Sequence, residues 1–205
     1  MNTPISNKQI GTLLRVDASL QSSENSSSRQ LAEYLLAQLV PQNVEQIDLA
    51  KINPQPIDGA FLEASIGDKQ QQQDNANVAL ANSWIEKVQQ ADAIAISVPM
   101  YNFGMPAQLK TFFDYILRAG VTFRYTENGP QGLVADKPVY LLLASGGDYR
   151  EGEAAKLNYL DGHLQTMLNF IGLTDLHFIH AAGLASGQAE QIMQQAQQAI
   201  DALVA

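Results

Sequence analysis

The chain has 205 residues, 46% of them hydrophobic and 16% charged, which suits one domain spanning 1–205 with a real core and excludes global disorder. Twelve Lys plus Arg against twenty-one Asp plus Glu leave a net charge of −9, so the surface repels polyanions, no nucleic-acid partner is expected, and any phosphate must be held locally. There is no cysteine, which removes disulfides, thiolate nucleophiles and iron–sulfur or cysteine-ligated metal sites while leaving flavin, nicotinamide and hydroxyl chemistry open.

In chain order, an apolar run from Thr12 to Val16 predicts a strand, the polar stretch Ser19 to Ser28 a loop, and the four-residue spacing of Leu31, Leu35 and Leu39 an amphipathic helix. Val44, Ile47 and Leu49 suggest a second strand. Pro54, Pro56, Gly59 and the Gln70 to Gln73 run then mark a long irregular excursion, with 70–73 read as a mobile loop. Val78, Ala81, Ile85 and Val88 make a second helical face, on which Trp84 reads as core, and Ala93 to Val98 is a buried strand ending at Pro99. A third stripe from Leu109 to Leu117 follows a proline start at Pro106 and is predicted to stop at Gly120. After the excursion Val121 to Lys137, with its turn signal Glu127-Asn128-Gly129-Pro130, come a strand at Val139 to Ala144, a helix from Leu157 to Ile171 closed by Gly172, a strand at Leu176 to Ile179 and a helix at Ala189 to Val204. The apolar runs fall far short of the ~20 residues of a membrane span, and residues 1–12 are too polar for a secretory leader, so no membrane partner and a cytoplasmic location are expected.

Five apolar strands alternating with five helices predict an α/β fold with an open parallel sheet covered on both faces. Ligands of such sheets sit at the carboxyl ends of the strands, where strand order reverses, so function is expected in three loops. The first carries Ser19, Ser22, Ser23 and the trio Ser26, Ser27 and Ser28 ahead of a helix, a local anion site without a P-loop lysine; serines also crowd loops and caps for their own sake. The second, Pro99 to Pro106, sets Met100, Tyr101, Asn102 and Phe103 after a buried strand, suited to a planar heterocycle or to packing under the next helix. The third, Ala144-Ser145-Gly146-Gly147-Asp148, offers two glycines for positive φ and close backbone approach, or a plain turn. On one rim, the three together describe a site for a mononucleotide such as FMN.

The blocks Pro99 to Pro106, Gln108-Leu109-Lys110, Phe113-Asp114, Arg118 to Pro130 and Gly132-Leu133 closely resemble the FMN-dependent NADH azoreductases, a family of flavodoxin-like quinone reductases. The resemblance implies a flavodoxin-like three-layer sandwich with strand order 2-1-3-4-5. It also implies a homodimer, one noncovalent FMN per subunit, and NADH or NADPH as co-substrate. By position, Ser19, Ser26, Ser27 and Ser28 would hold the phosphate, Met100, Tyr101, Asn102 and Phe103 the isoalloxazine, and Ala144, Ser145, Gly146 and Gly147 its pyrimidine side. Ala144-Ser145 stand where relatives often carry Ser-Arg or Thr-Arg. The implied activity is ping-pong two-electron reduction of quinones and reductive cleavage of aromatic azo compounds. The alternatives are a non-catalytic flavin- or nucleotide-binding regulatory module and a flavodoxin-type electron carrier. Phe123 and Tyr125 are candidates for the acceptor pocket, with residues 60–73 as a lid. His163, His177 and His180 do not have the pattern of a metal site, and a structural or surface role is expected for them.

Overall fold

A computed structural model describes residues 10–204; of the stretch read as too polar for a leader, residues 1–9 lie outside the described residues. In chain order the elements are β1 (Thr12–Asp17), α1 (Ser27–Leu39), β2 (Asn43–Asp48), α2 (Leu49–Ile52), α3 (Gly59–Ile66), α4 (Lys69–Asp74), α5 (Ala76–Gln90), β3 (Ala93–Pro99), α6 (Ala107–Ile116), β4 (Phe123–Thr126), β5 (Gly129–Gly132), β6 (Val139–Ser145), α7 (Asp161–Ile171), β7 (Leu176–Ala182) and α8 (Ala189–Val204). The main sheet is wholly parallel, in the order β2-β1-β3-β6-β7. Counting only its own strands, this is the expected 2-1-3-4-5.

The side-chain alternation of the strands divides the core into two layers. Leu14, Val16, Ile94, Ile96, Leu141 and Leu143 face Trp84 of α5, Phe112 and Tyr115 of α6 and Leu164 of α7. Leu13, Ala95, Tyr140, Leu142 and Ile179 face Leu31 and Leu35 of α1 and Ile200 of α8. Trp84 lies 5.3 Å from the Phe112 ring and 5.4 Å from the Tyr115 ring, so it is core as expected.

Three expectations need correction. The excursion after β2 is not irregular: it holds α2, α3 and α4, and Gln70 to Gln73 are helical. These helices are too short to show a period, and their caps define them instead. Asp48 accepts from the amides of Ala50 and Lys51, Asp58 from Phe61, and Asp68 forms a reciprocal capping box with Gln71. Helix α6 ends at Ile116, short of Gly120, because Thr122 Oγ1 donates to the Ile116 carbonyl and accepts from the Arg118 amide, turning the chain there. Helix α7 begins at Asp161, where the Asn158 side chain accepts from the Leu160 and Asp161 amides.

The turn signal at 127–130 marks a two-stranded hairpin of β4 and β5. It docks on the carboxyl end of α7, which Gly172 closes at φ 105°. The approach is backbone to backbone: a Cβ on Gly132 would stand 2.2 Å from the Gly172 amide nitrogen. Gly132→Ala is therefore expected to lower stability by about 2–3 kcal/mol through overpacking, measured by urea unfolding of the ligand-free chain.

Candidate functional site

Strands β1, β3 and β6 end together, with Asp17 beside Ser97 and Pro99 beside Ala144. The chain leaves β1 toward β2 on one side and takes β3 on the other, so the crevice above β1 and β3 is the switch point of the sheet.

Beneath the first loop lies a buried group of charges. Asp17, fully buried, accepts hydrogen bonds from Ser97 Oγ at 2.7 Å and Gln46 Nε2 at 2.6 Å. Arg15 Nε stands 2.8 Å and Arg29 Nη1 3.5 Å from it as ion pairs. Arg29 grips Asp48 with two bonds of 2.8 and 3.0 Å and donates from Nη2 to the Ser19 carbonyl at 2.7 Å. The hydrogen bond to Asp48 raises the Arg29 guanidinium above its ordinary range, and the same bond holds the Asp48 carboxyl below the usual carboxylate range. Because the folded value of Asp48 is the lower one, this pair contributes stability above the unfolded value of about 4, lost as pH falls through the folded value. Two guanidiniums and two carboxylates sum to zero, so capture of an anion above them falls to dipoles and hydroxyls.

Those dipoles belong to the start of α1. Ser26 caps it, its Oγ accepting from the Arg29 amide at 3.4 Å and lying 3.3 Å from Ser28 Oγ. The amides of Ser27 and Ser28 precede the first intrahelical acceptor and face the loop. Ser19, Ser26 and Ser28 are buried and Ser27 is half-buried.

The second loop is a tight turn. Tyr101 and Gly104 exchange backbone hydrogen bonds of 3.0 and 3.1 Å, and the two residues between them, Asn102 at φ 47° and Phe103 at φ 70°, both have left-handed backbone. Two positive φ values define a primed turn, normally built from Gly, Asn or Asp; Asn tolerates the region, whereas Phe is strained there. Tyr101 Oη accepts from the Leu20 amide at 3.4 Å, tying this turn to the serine loop. The Met100 amide donates to the Ala144 carbonyl at 2.8 Å, tying it to the third loop.

In the third loop Ser145 Oγ donates to the Gly147 carbonyl at 2.7 Å, and the amides of Gly183 and Ala185 bond to this turn. The expected positive φ is not found at Gly146 or Gly147. At 147 a Cβ would stand 2.8 Å from the Tyr149 ring, which would have to shift; at 146 a Cβ would meet Ala185 at an ordinary 3.7 Å.

A cleft of about 210 Å³ joins the three loops. Ser19, Ser26, Ser27 and Ser28 line one end, and Met100, Tyr101, Ala144, Ser145 and Gly146 the other. Asn102 and Phe103 are exposed at the tip of their turn and, with Gly147, do not line the cleft of the single chain. Phe123 and Tyr125 are also outside it: Phe123 packs on Phe170 at 4.6 Å, and Tyr125 projects from the hairpin, 74% exposed. The wall also includes Asn25, whose place among the serines was a usable signal, and Leu184, which had none. A larger cleft of about 540 Å³ opens between β7 and α8. Among the described residues no group of three or more His, Cys, Asp or Glu could hold a metal ion, and no helix is long and apolar enough to cross a membrane.

A doubly wound parallel sheet with a hydroxyl-lined helix start and an aromatic turn at its switch point defines a mononucleotide-binding α/β protein. Residues 11–204 match the family described as flavodoxin-like fold, and the chain belongs to that family. It is 41% identical over 202 residues to an FMN-dependent NADH:quinone oxidoreductase of Cellvibrio japonicus, covering 96% of this chain and 100% of that one. It is 43% identical over 203 residues to one of Dechloromonas aromatica, covering 94% and 99%. The solved structure of azoreductase AzrA superposes with a TM-score of 0.84 at 29% identity, covering 95% and 99%.

The strained turn makes a prediction. Phe103→Gly relieves a left-handed phenylalanine and is expected to raise stability by about 1 kcal/mol, read from urea unfolding of the ligand-free chain. A fall in stability would mean that the edge contact of Phe103 with Tyr149, at 5.7 Å, outweighs the strain.

Proposed function

We propose that the chain is an FMN-dependent NADH oxidoreductase that reduces quinones to hydroquinones and cleaves aromatic azo compounds to amines, one FMN binding per chain in the three-loop cleft. The observation that carries this reading is that the anion-binding and ring-binding loops share one wall-to-wall cleft, tied by the Leu20 to Tyr101 and Met100 to Ala144 hydrogen bonds. The names of the relatives supply the nicotinamide and the quinone and azo acceptors.

The residues present fit FMN. Its phosphate is the anion that the hydroxyls of Ser19, Ser26, Ser27 and Ser28 and the free amides of α1 can hold without a compensating positive charge. Met100 and Tyr101 give a flat, partly apolar wall for the ring, and the exposed Asn102 amide and Phe103 extend that wall at the mouth. The turn from Ala144 to Gly147 presents backbone polar groups to the polar edge of the ring. Bound FMN would supply the two-electron transfer from NADH to the acceptor, while this chain binds, orients and limits access. One shared face implies alternate occupancy by nicotinamide and acceptor, hence ping-pong kinetics.

The same reading makes the chain one domain, located in the cytoplasm and paired as a homodimer. Ile66, 88% exposed, and Tyr125 offer apolar surface for a second copy to cover, which would bring Phe123 and Tyr125 toward the acceptor side of a shared site. NADH is the named donor of the relatives, and NADPH is the second donor to compare.

The protein is expected to bind one FMN per chain and to oxidise NADH when menadione or methyl red is added; FMN-loaded protein inert toward both acceptors would contradict the reading. Asn102→Gly keeps the left-handed backbone but removes the amide, and is expected to weaken FMN binding roughly tenfold, about one hydrogen bond, read from flavin fluorescence quenching. Mass in solution should be twice the 22.3 kDa chain, and an active monomer would refute the shared site.

A further inference from the structure

His180 lies on β7 opposite Leu143, one step below the Ala144 to Gly147 turn. Its Nε2 is 2.9 Å from Oδ2 of Asp161, the first residue of α7. The imidazole lines two cavities, the 540 Å³ cleft between β7 and α8 and a small one of about 10 Å³, room for roughly one water. Met100, Ala144 and Ser145 line both the small cavity and the three-loop cleft. His180 and Asp161 therefore lie one small cavity away from the ring end of the proposed FMN site.

Asp161 lines the small cavity and not the larger cleft, so Nε2 points to the side of the small cavity. The other titratable or charged groups around the imidazole are Asp148, Tyr149 and Arg150 of the loop after β6; Gln188, just before α8, and Gln195 on it are uncharged. Asp148 pairs with Arg150 at 2.6 Å and also interacts with His180, while Asp161 is the carboxylate in hydrogen-bond contact with the ring. Burial pushes the Asp161 carboxyl up, but the hydrogen bond and charge of His180, with a bond from Asn158, bring it below its ordinary value. It stays ionised and orients the ring by accepting from Nε2.

Resting on the proposed function, we propose that His180, oriented by Asp161, is the residue through which a solvent proton reaches the FMN site. Reduction of a quinone by NADH requires such a proton. Hydride carries two electrons and one proton, whereas the hydroquinone gains two electrons and two protons, so one comes from water in each turnover. It is taken up at Nδ1, and the Nε2 proton passes to the Asp161 carboxylate it is bonded to and from there to water in the small cavity, which Asp161 and Ser145 both line. Exchange of the remaining ring proton from Nδ1 to Nε2 through water restores the starting tautomer.

The test compares wild type, His180→Asn, Asp161→Asn and the exposed control His163→Gln. His180→Asn is expected to bind FMN within about twofold of wild type but to lose roughly tenfold in kcat with menadione. Asp161→Asn changes kcat in the same direction. A readout independent of turnover is the ¹⁵N imidazole resonance of the FMN-loaded wild type. The His180 signal should shift when the flavin is reduced anaerobically with dithionite, and that of His163 should not. A His180→Asn enzyme with the wild-type kcat, or a His180 resonance indifferent to reduction, overturns the route alone. Wild-type protein that neither binds FMN nor oxidises NADH overturns the parent function and the route with it.

Discussion

Arg29 is the interaction on which the site depends. It sits on the buried face of α1, clamps Asp48 at the end of β2, approaches Asp17 at the end of β1 and holds the Ser19 carbonyl. Two strand ends, a helix start and the serine loop are thereby fixed to one guanidinium. A planar fork with several donors can do this and an ammonium cannot, because the contacts diverge in one plane. Removing either partner would strand a buried charge, so the group holds the loop in one geometry.

The electrically neutral foundation explains how an acidic protein can hold a phosphate. The net charge of −9 acts at long range and is screened beyond about 8–10 Å at ordinary ionic strength. Free amides and serine hydroxyls at the start of α1 act at hydrogen-bond range and select a terminal phosphate by geometry. At the other end of the cleft the constraint is reversed. The Asn102-Phe103 turn keeps a phenylalanine in left-handed backbone, a strain of roughly 1–3 kcal/mol that the surrounding hydrogen bonds must offset. In return the turn projects a flat side chain at the mouth of the cleft, where a glycine turn would present none.

Much of this was legible in the chain. The strands β1, β3 and β6 are mostly apolar runs because both faces are buried, so their parallel pairing followed from alternation with amphipathic helices, while their order came from the family resemblance. The three loops stood out because serines, a Met-Tyr-Asn-Phe run and paired glycines each followed a strand. Helices α2 to α4 were not legible as helices, since caps rather than periodicity make them. Arg29 looked like an ordinary polar position of α1, and its role exists only once β1 and β2 bring Asp17 and Asp48 beside it. Leu184 joins the cleft from the far end of β7, a contact that no local pattern encodes. Gly147 lacks the positive φ read into the paired glycines; a Cβ there would press on the Tyr149 ring.

The central claim is that three loops at the switch point form one FMN site even though the cleft between β7 and α8 is larger. A crystal structure of the chain grown with FMN tests it most directly. The account predicts the phosphate against Ser19 and Ser26 to Ser28, with the ring between the Met100 to Phe103 turn and the Ala144 to Gly147 turn. FMN seated instead between β7 and α8, with the serine loop making no contact to its phosphate, would contradict it.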